Sequence, residues 1–145
     1  MADGHPSFDV SVVTPDGPVY QGKAEMLIVP GQDGEIGVLA RHAPLVATLK
    51  AGSTRVHLGG KEVLEFATGP GFFKVEADTA LALVDEAVNI RQIDEARATA
   101  QLEAARADLE KIEAGESKGD RWQAEQRILH AQNQLDVLGH ATGRA

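Results

Sequence analysis

The sequence predicts a β + α protein, an N-terminal β-sandwich followed by a C-terminal antiparallel two-helix hairpin. Two observations carry the prediction. All six prolines and 11 of the 15 glycines precede residue 89, whereas residues 92–112 contain neither. At the same place the spacing of apolar residues changes from about two to about 3.6. The break divides the chain into a sandwich domain over 1–88 and a helical domain over 89–145. A chain of 145 residues has room for one full domain and a smaller appendage.

The strand runs follow in order. Phe8, Val10 and Val12 alternate with Asp9 and Ser11 and stop at Pro15-Asp16-Gly17-Pro18, where proline presets φ and glycine supplies positive φ. Met26-Leu27-Ile28-Val29 is closed by Pro30-Gly31. Further runs lie at Val38-Leu39, Leu45 to Leu49, Arg55 to Leu58, Glu62 to Ala67, Phe72 to Val75 and Leu81 to Val84. Ala51-Gly52, Gly59-Gly60, Gly69-Pro70-Gly71 and Ala77-Asp78 separate them. Eight to ten short strands with turn signals between them leave little room for a helix and match a sandwich or barrel. Ile36, Val38, Leu45 and Val46 are expected in the core, and Gly31 to Gly37 in a loop around Asp33 and Glu35.

From Asn89, an expected N-cap with Gln92 three residues on, the pattern turns helical. Ala98, Leu102, Ala105, Leu109 and Ile112 form one stripe, which Gly115 and Gly119 break. Asp120 with Gln123 repeats the cap signal, and Ala124, Ile128, Ala131, Leu135 and Leu138 form the second stripe. A short polar loop, Glu113 to Asp120, lets the stripes meet only if the helices are antiparallel. A loose tail is expected from Gly139, and Trp122 is expected to pack on the sandwich. The seam holds few large aliphatic side chains, while Ala, Glu, Arg, Leu and Gln give each segment high helix propensity. Such helices persist when their contacts are exchanged, which suits a two-state element; a permanent cap on the sandwich fits the same pattern.

Composition excludes several functions. Zero cysteines remove disulfides, thiolate nucleophiles and Cys-ligated metals. His5, His42, His57, His130 and His140 are scattered without zinc-site spacing, and the serines have no GxSxG context. No Walker-type phosphate loop occurs, so hydrolysis of ATP by this chain alone is not expected. The formal charge of −8 disfavours nucleic acid. No apolar run approaches the roughly 20 residues of a membrane span, and the N-terminal MADGHPSFD carries no signal-peptide or transit-peptide pattern.

The order of motifs adds a resemblance. Gly34-Glu35-Ile36-Gly37-Val38-Leu39 is followed by His42-Ala43-Pro44-Leu45-Val46, then Gly69-Pro70-Gly71-Phe72-Phe73-Lys74-Val75, then Ile93-Asp94-Glu95-Ala96-Arg97-Ala98. Over essentially its whole length the chain resembles the epsilon subunit family of bacterial F-type ATP synthases. The resemblance implies a ten-stranded sandwich at the foot of the central stalk, contacting gamma and the membrane-embedded c-ring. It also implies a non-catalytic subunit, peripheral to the cytoplasmic face of the bacterial inner membrane. Its C-terminal helices would leave the hairpin, extend towards the alpha/beta catalytic hexamer and inhibit ATP hydrolysis.

Site residues follow from the same resemblance. Glu35 and His42 are the candidates for contact with the c-ring or gamma, set against plain turn and backbone-satisfying roles. Asp94, Arg97 and Ala98 match an Ile-Asp-x-x-Arg-Ala motif that binds ATP in some members, although an ion pair on the helix surface explains the first two equally well. Two arginines of the second helix complete that site in strong binders, and here His130 and Gln134 stand nearest. No cofactor is required, and ATP enters only as a weak regulatory ligand. Arg106, Lys111, Arg121 and Arg127 are the candidate inhibitory contacts, on a segment that is net acidic. A free-standing β-sandwich ligand-binding module with a helical cap is the alternative, but one Trp, one Tyr and four Phe leave few aromatics for a sugar platform.

Overall fold

Ten strands and two helices make up the computed structural model, which describes residues 6–144, with the side chains of 142–144 excepted. Residues 1–5, where the leader patterns and His5 were considered, lie outside the described residues, as does Ala145. The strands are β1 (Phe8–Thr14), β2 (Gly17–Ala24), β3 (Met26–Gly31), β4 (Gly34–Leu39), β5 (Leu45–Leu49), β6 (Gly52–Gly59), β7 (Glu62–Thr68), β8 (Gly71–Glu76), β9 (Thr79–Val84) and β10 (Ala87–Asn89). A single 3-10 turn, Ile90–Gln92, leads to α1 (Glu95–Glu113) and α2 (Arg121–Arg144). The chain divides into two compact units between Asn89 and Ile90.

In the first unit the hydrogen-bonded order is β10-β7-β6-β3-β5-β8-β9-β1-β2, with β4 paired to β3. β3 joins the two halves: Met26, Leu27 and Ile28 pair with β6, while only Gly31 pairs with β5, at Leu49. Alternation then aims one face of each strand inward. Phe8, Val10 and Val12 of β1, Leu27 and Val29 of β3, Phe73 and Val75 of β8, and Ala80, Ala82 and Val84 of β9 form one buried cluster. The buried Thr54 and Thr68 hydroxyls satisfy each other at 2.8 Å. An apolar interior accepts such a pair because both partners are paired.

Three expectations change here. The Gly31 to Gly37 segment is a tight hairpin, not a loop: Gly31 pairs with Gly34, and Glu35 already lies in β4 opposite Pro30. Gly34 takes φ 138, which glycine adopts freely, so the turn needs only Gln32 and Asp33. β2, which the turn residues at its start conceal, is an edge strand, where Pro18 costs the ladder little. Val46 is 74% exposed and belongs to the outer face; Val38 is fully buried, and Ile36 and Leu45 pack against the core.

In the second unit, the cap lies five residues beyond Asn89, which closes β10. Asp94 caps α1, its carboxylate accepting from the Arg97 N–H at 3.1 Å. Gln123 N–H donates to Asp120 Oδ1 at 3.2 Å at the start of α2. Ala98, Leu102 and Ala105 of α1 and Ala124 and Ala131 of α2 are buried, while Leu109, Ile112, Ile128, Leu135 and Leu138 are half-buried. The seam is therefore deepest at its alanines. Val137, outside the expected stripe, is also buried. Helix α2 runs through Gly139 to Arg144, so no loose tail begins at that glycine. Trp122 is 67% exposed and packs into no core.

Candidate functional site

The outer face of the β5-β8-β9-β1 sheet carries the feature the sequence missed. Register places Thr48, Phe72, Leu83 and Val13 in one row across the four strands. The next row holds Val46, Lys74, Leu81 and Ser11. Phe72 is 63% exposed and Leu83 45%, and with Val46 they form an apolar band on a face turned to solvent. At one end the band meets ion pairs, Lys74–Glu76 at 3.3 Å and Lys23–Asp9 at 3.1 Å. At the other, Val13, Pro15, Pro70 and Leu83 line a small cleft. An apolar centre with a charged rim is the anatomy of a protein-binding surface.

Glu35 lies beside this band. It lines a groove with Gln32, Asp33, Val46 and Thr48, so the β3–β4 hairpin and the outer side of β5 present one continuous surface. Its carboxylate also pairs with Arg55 of β6 at 3.2 Å, a diagonal contact across β3. That pair holds the hairpin without burying the Glu35 charge. Beyond Arg55, burial and then the arginine's charge lower the His57 pKa, and the ring is neutral at neutral pH. His42 is half-buried, and its Nδ1–H donates to the Ala43 carbonyl at 2.7 Å. The ring thus stiffens its own loop and is not among the residues lining the Glu35 groove.

On the helices the motif residues separate. Ala98 is buried, Asp94 spends its carboxylate on the α1 cap, and the exposed Arg97 guanidinium forms no ion pair with any described residue. The groove beside the cap is lined by Asp94, Glu95 and Glu103, a set of carboxylates that opposes phosphate. Three of the four candidate basic residues are engaged along the hairpin. Arg106 donates to Gln132 at 3.0 Å, Arg127 meets Asp108 at 3.3 Å, and Arg121 bridges Glu113 at 3.4 Å and Glu125 at 2.9 Å. Lys111 is exposed and has no such partner among the described residues. Exposed pairs of this kind contribute about 0–1 kcal/mol each, so they set register more than they lock the hairpin.

No group of three or more metal-ligating side chains is present among the described residues. No described helix is long and apolar enough to cross a membrane.

Comparison with known proteins gives a consistent set of likenesses. A family model described as the ATP synthase delta/epsilon chain, beta-sandwich domain, matches residues 7–90. An ATP synthase epsilon chain 1 of Methylococcus capsulatus is 36% identical over 140 residues, 96% of this chain and 98% of its own length. The ATP synthase epsilon chain of Halalkalibacterium halodurans is 39% identical over 134 residues, 92% of this chain and 98% of its own. A chain from the mitochondrial ATP synthase of Euglena gracilis shares the fold with a TM-score of 0.70 at 24% identity, covering 95% of this chain and 83% of its own.

Proposed function

The chain belongs to the ATP synthase delta/epsilon chain family, and from that premise we propose that it is a non-catalytic central-stalk subunit of a proton-translocating F-type ATP synthase. Its sandwich seats between gamma and the c-ring, and its helices restrain ATP hydrolysis when they leave the hairpin for the alpha/beta hexamer. The membrane enters through the complex, on the cytoplasmic face of the bacterial inner membrane. The observation that carries this is the exposed band of Val46, Phe72 and Leu83. Contiguous apolar surface is costly to leave in water and stabilises a complex once a partner covers it. Gamma is assigned to the band, and the adjoining Gln32 to Glu35 hairpin, polar and narrow, to the c-ring. His42 supports the edge of the gamma contact. Gel filtration of the full chain with purified gamma tests the assignment: the two are expected to elute together, and separate elution would refute it.

The regulatory part rests on the hairpin. Its seam is deepest at alanines, and Arg106, Arg121 and Arg127 are held there only by exposed contacts. Opening the hairpin frees these residues, with Lys111, for acidic surfaces of the hexamer. Removing the chain beyond Asn89 is therefore expected to raise the hydrolysis rate of the assembled enzyme severalfold, while gamma still binds. An unchanged rate would remove inhibition and leave the coupling role.

ATP is assigned at most a weak regulatory part, through Arg97 beside Asp94 and Ala98. The carboxylates lining the cap groove work against a triphosphate, so Mg²⁺ would have to accompany it. Titration calorimetry with MgATP is expected to give weak heat that Arg97→Ala removes. Heat that survives the substitution would place the nucleotide elsewhere.

A further inference from the structure

The geometry points to Asp78 as a positioning residue for the loop that carries His42. The β8–β9 hairpin pairs Glu76 with Thr79, leaving Ala77 and Asp78 as a two-residue turn. Both are left-handed, with φ of 52 and 57. Turns of this kind favour asparagine or aspartate followed by glycine, because other side chains crowd the backbone there. This turn has no glycine. The strain needs a compensating contact, and the contact is distant in sequence. Asp78 Oδ1 accepts from the Arg41 N–H at 2.6 Å, 37 residues away, while the Asp78 carbonyl accepts from the Asp9 N–H at 3.0 Å.

Arg41 is itself left-handed, with φ 65, and stands between the end of β4 and His42. Its amide faces a carboxylate, a stronger acceptor than a neutral carbonyl. Asp78 thereby fixes the direction in which residues 42–44 leave β4 and enter β5, where Val46 begins the exposed band. Nothing in the β8–β9 turn itself uses the side chain. Strain at an exposed turn whose side chain is used only at a distant loop marks that loop as the part whose geometry matters. Asp78 itself touches no partner; it acts through Arg41 by preorganising the His42 to Val46 edge, which lowers the ordering cost of docking.

The inference rests on gamma docking at the band, so its test has one readout that does not. Two variants of the full chain separate acceptor from backbone: Asp78→Gly suits the left-handed φ and removes the acceptor, while Asp78→Asn keeps both an acceptor and tolerance of that φ. By NMR, the Arg41 amide of Asp78→Gly is expected to exchange about tenfold faster or more, with Val56 and other core amides away from β5 unchanged. Its affinity for gamma is expected to fall about fivefold through lost preorganisation. Asp78→Asn, whose neutral oxygen is the weaker acceptor, is expected to lie between Asp78→Gly and the natural chain in exchange and to bind gamma within about twofold of the natural chain. Unchanged Arg41 exchange in Asp78→Gly overturns the clamp, equal acceleration of core amides shows a merely structural role, and faster exchange with unaltered affinity denies positioning. If the natural chain binds no gamma, the functional assignment fails, and the exchange comparison still decides the clamp.

Discussion

Phe72→Asp is expected to lower affinity for gamma at least about a hundredfold, on the order of 3 kcal/mol, while the sandwich stays folded. Phe72 is the largest side chain of the exposed band, flanked in register by Thr48 and Leu83. Its neighbour Phe73 is fully buried, so the two phenylalanines divide the work, one in the core and one on the surface. A buried aromatic at the centre of an interface commonly dominates binding, and a carboxylate in its place must be desolvated without a partner. The folded chain loses little, because a strand residue facing water tolerates a charge. Lys61→Ala, in the β6–β7 turn and away from the band in the sheet order, is the matched control and is expected to bind normally. Surface plasmon resonance against immobilised gamma gives the comparison. Equal affinity of Phe72→Asp and the natural chain would mean that another face of the sandwich docks.

The same alternation explains what the sequence did and did not disclose. In Leu45-Val46-Ala47-Thr48-Leu49 the period of two sends Leu45, Ala47 and Leu49 one way and Val46 the other. Read as an apolar run, the segment suggests that all its aliphatics are core; read with its register, it leaves Val46 outside. Hydrophobicity alone does not distinguish a core residue from a docking residue, because both bury the same surface against different partners. The strands bounded by Gly and Pro were legible for the opposite reason, since those residues restrict the backbone locally. β2 escaped because Gly17-Pro18 reads as a turn, yet an edge strand has a side that donates no ladder bond. Asn89 failed as a cap because its backbone is committed to Phe66 of β7, a pairing 23 residues away that local pattern cannot contain. Glu35 was legible as an exposed acid, but its pairing with Arg55 depends on strand order. The Asp78–Arg41 bond was invisible for the same reason.

Gly71→Ala is expected to be the most damaging small substitution in the sandwich, costing on the order of 4 kcal/mol. A Cβ on Gly71 would lie 1.8 Å from the Leu83 carbonyl oxygen and 2.8 Å from Val84 Cα. Those are backbone atoms of β9, so no side-chain rotation relieves the clash. The strand is confined on its other edge as well, where Gly71 pairs with Leu49 of β5. Relief requires β8 to move away from β9, where the Asp85 N–H donates to the Pro70 carbonyl at 3.1 Å and the Gly69 N–H to the Glu86 carbonyl at 2.9 Å. Overpacking and lost ladder bonds then add. Gly37→Ala is the contrast: its Cβ would meet nothing within 4 Å, its φ is not positive, and a near-zero or slightly favourable change is expected. Urea unfolding followed by strand-region circular dichroism or by core amide signals checks both, since the sole tryptophan, Trp122, reports on the helices. Because Phe72 follows Gly71, displacement of β8 also shifts the centre of the docking band. Gly71→Ala should therefore lose gamma binding at urea concentrations where the natural chain still binds; an unshifted unfolding midpoint would contradict the close approach on which both effects depend.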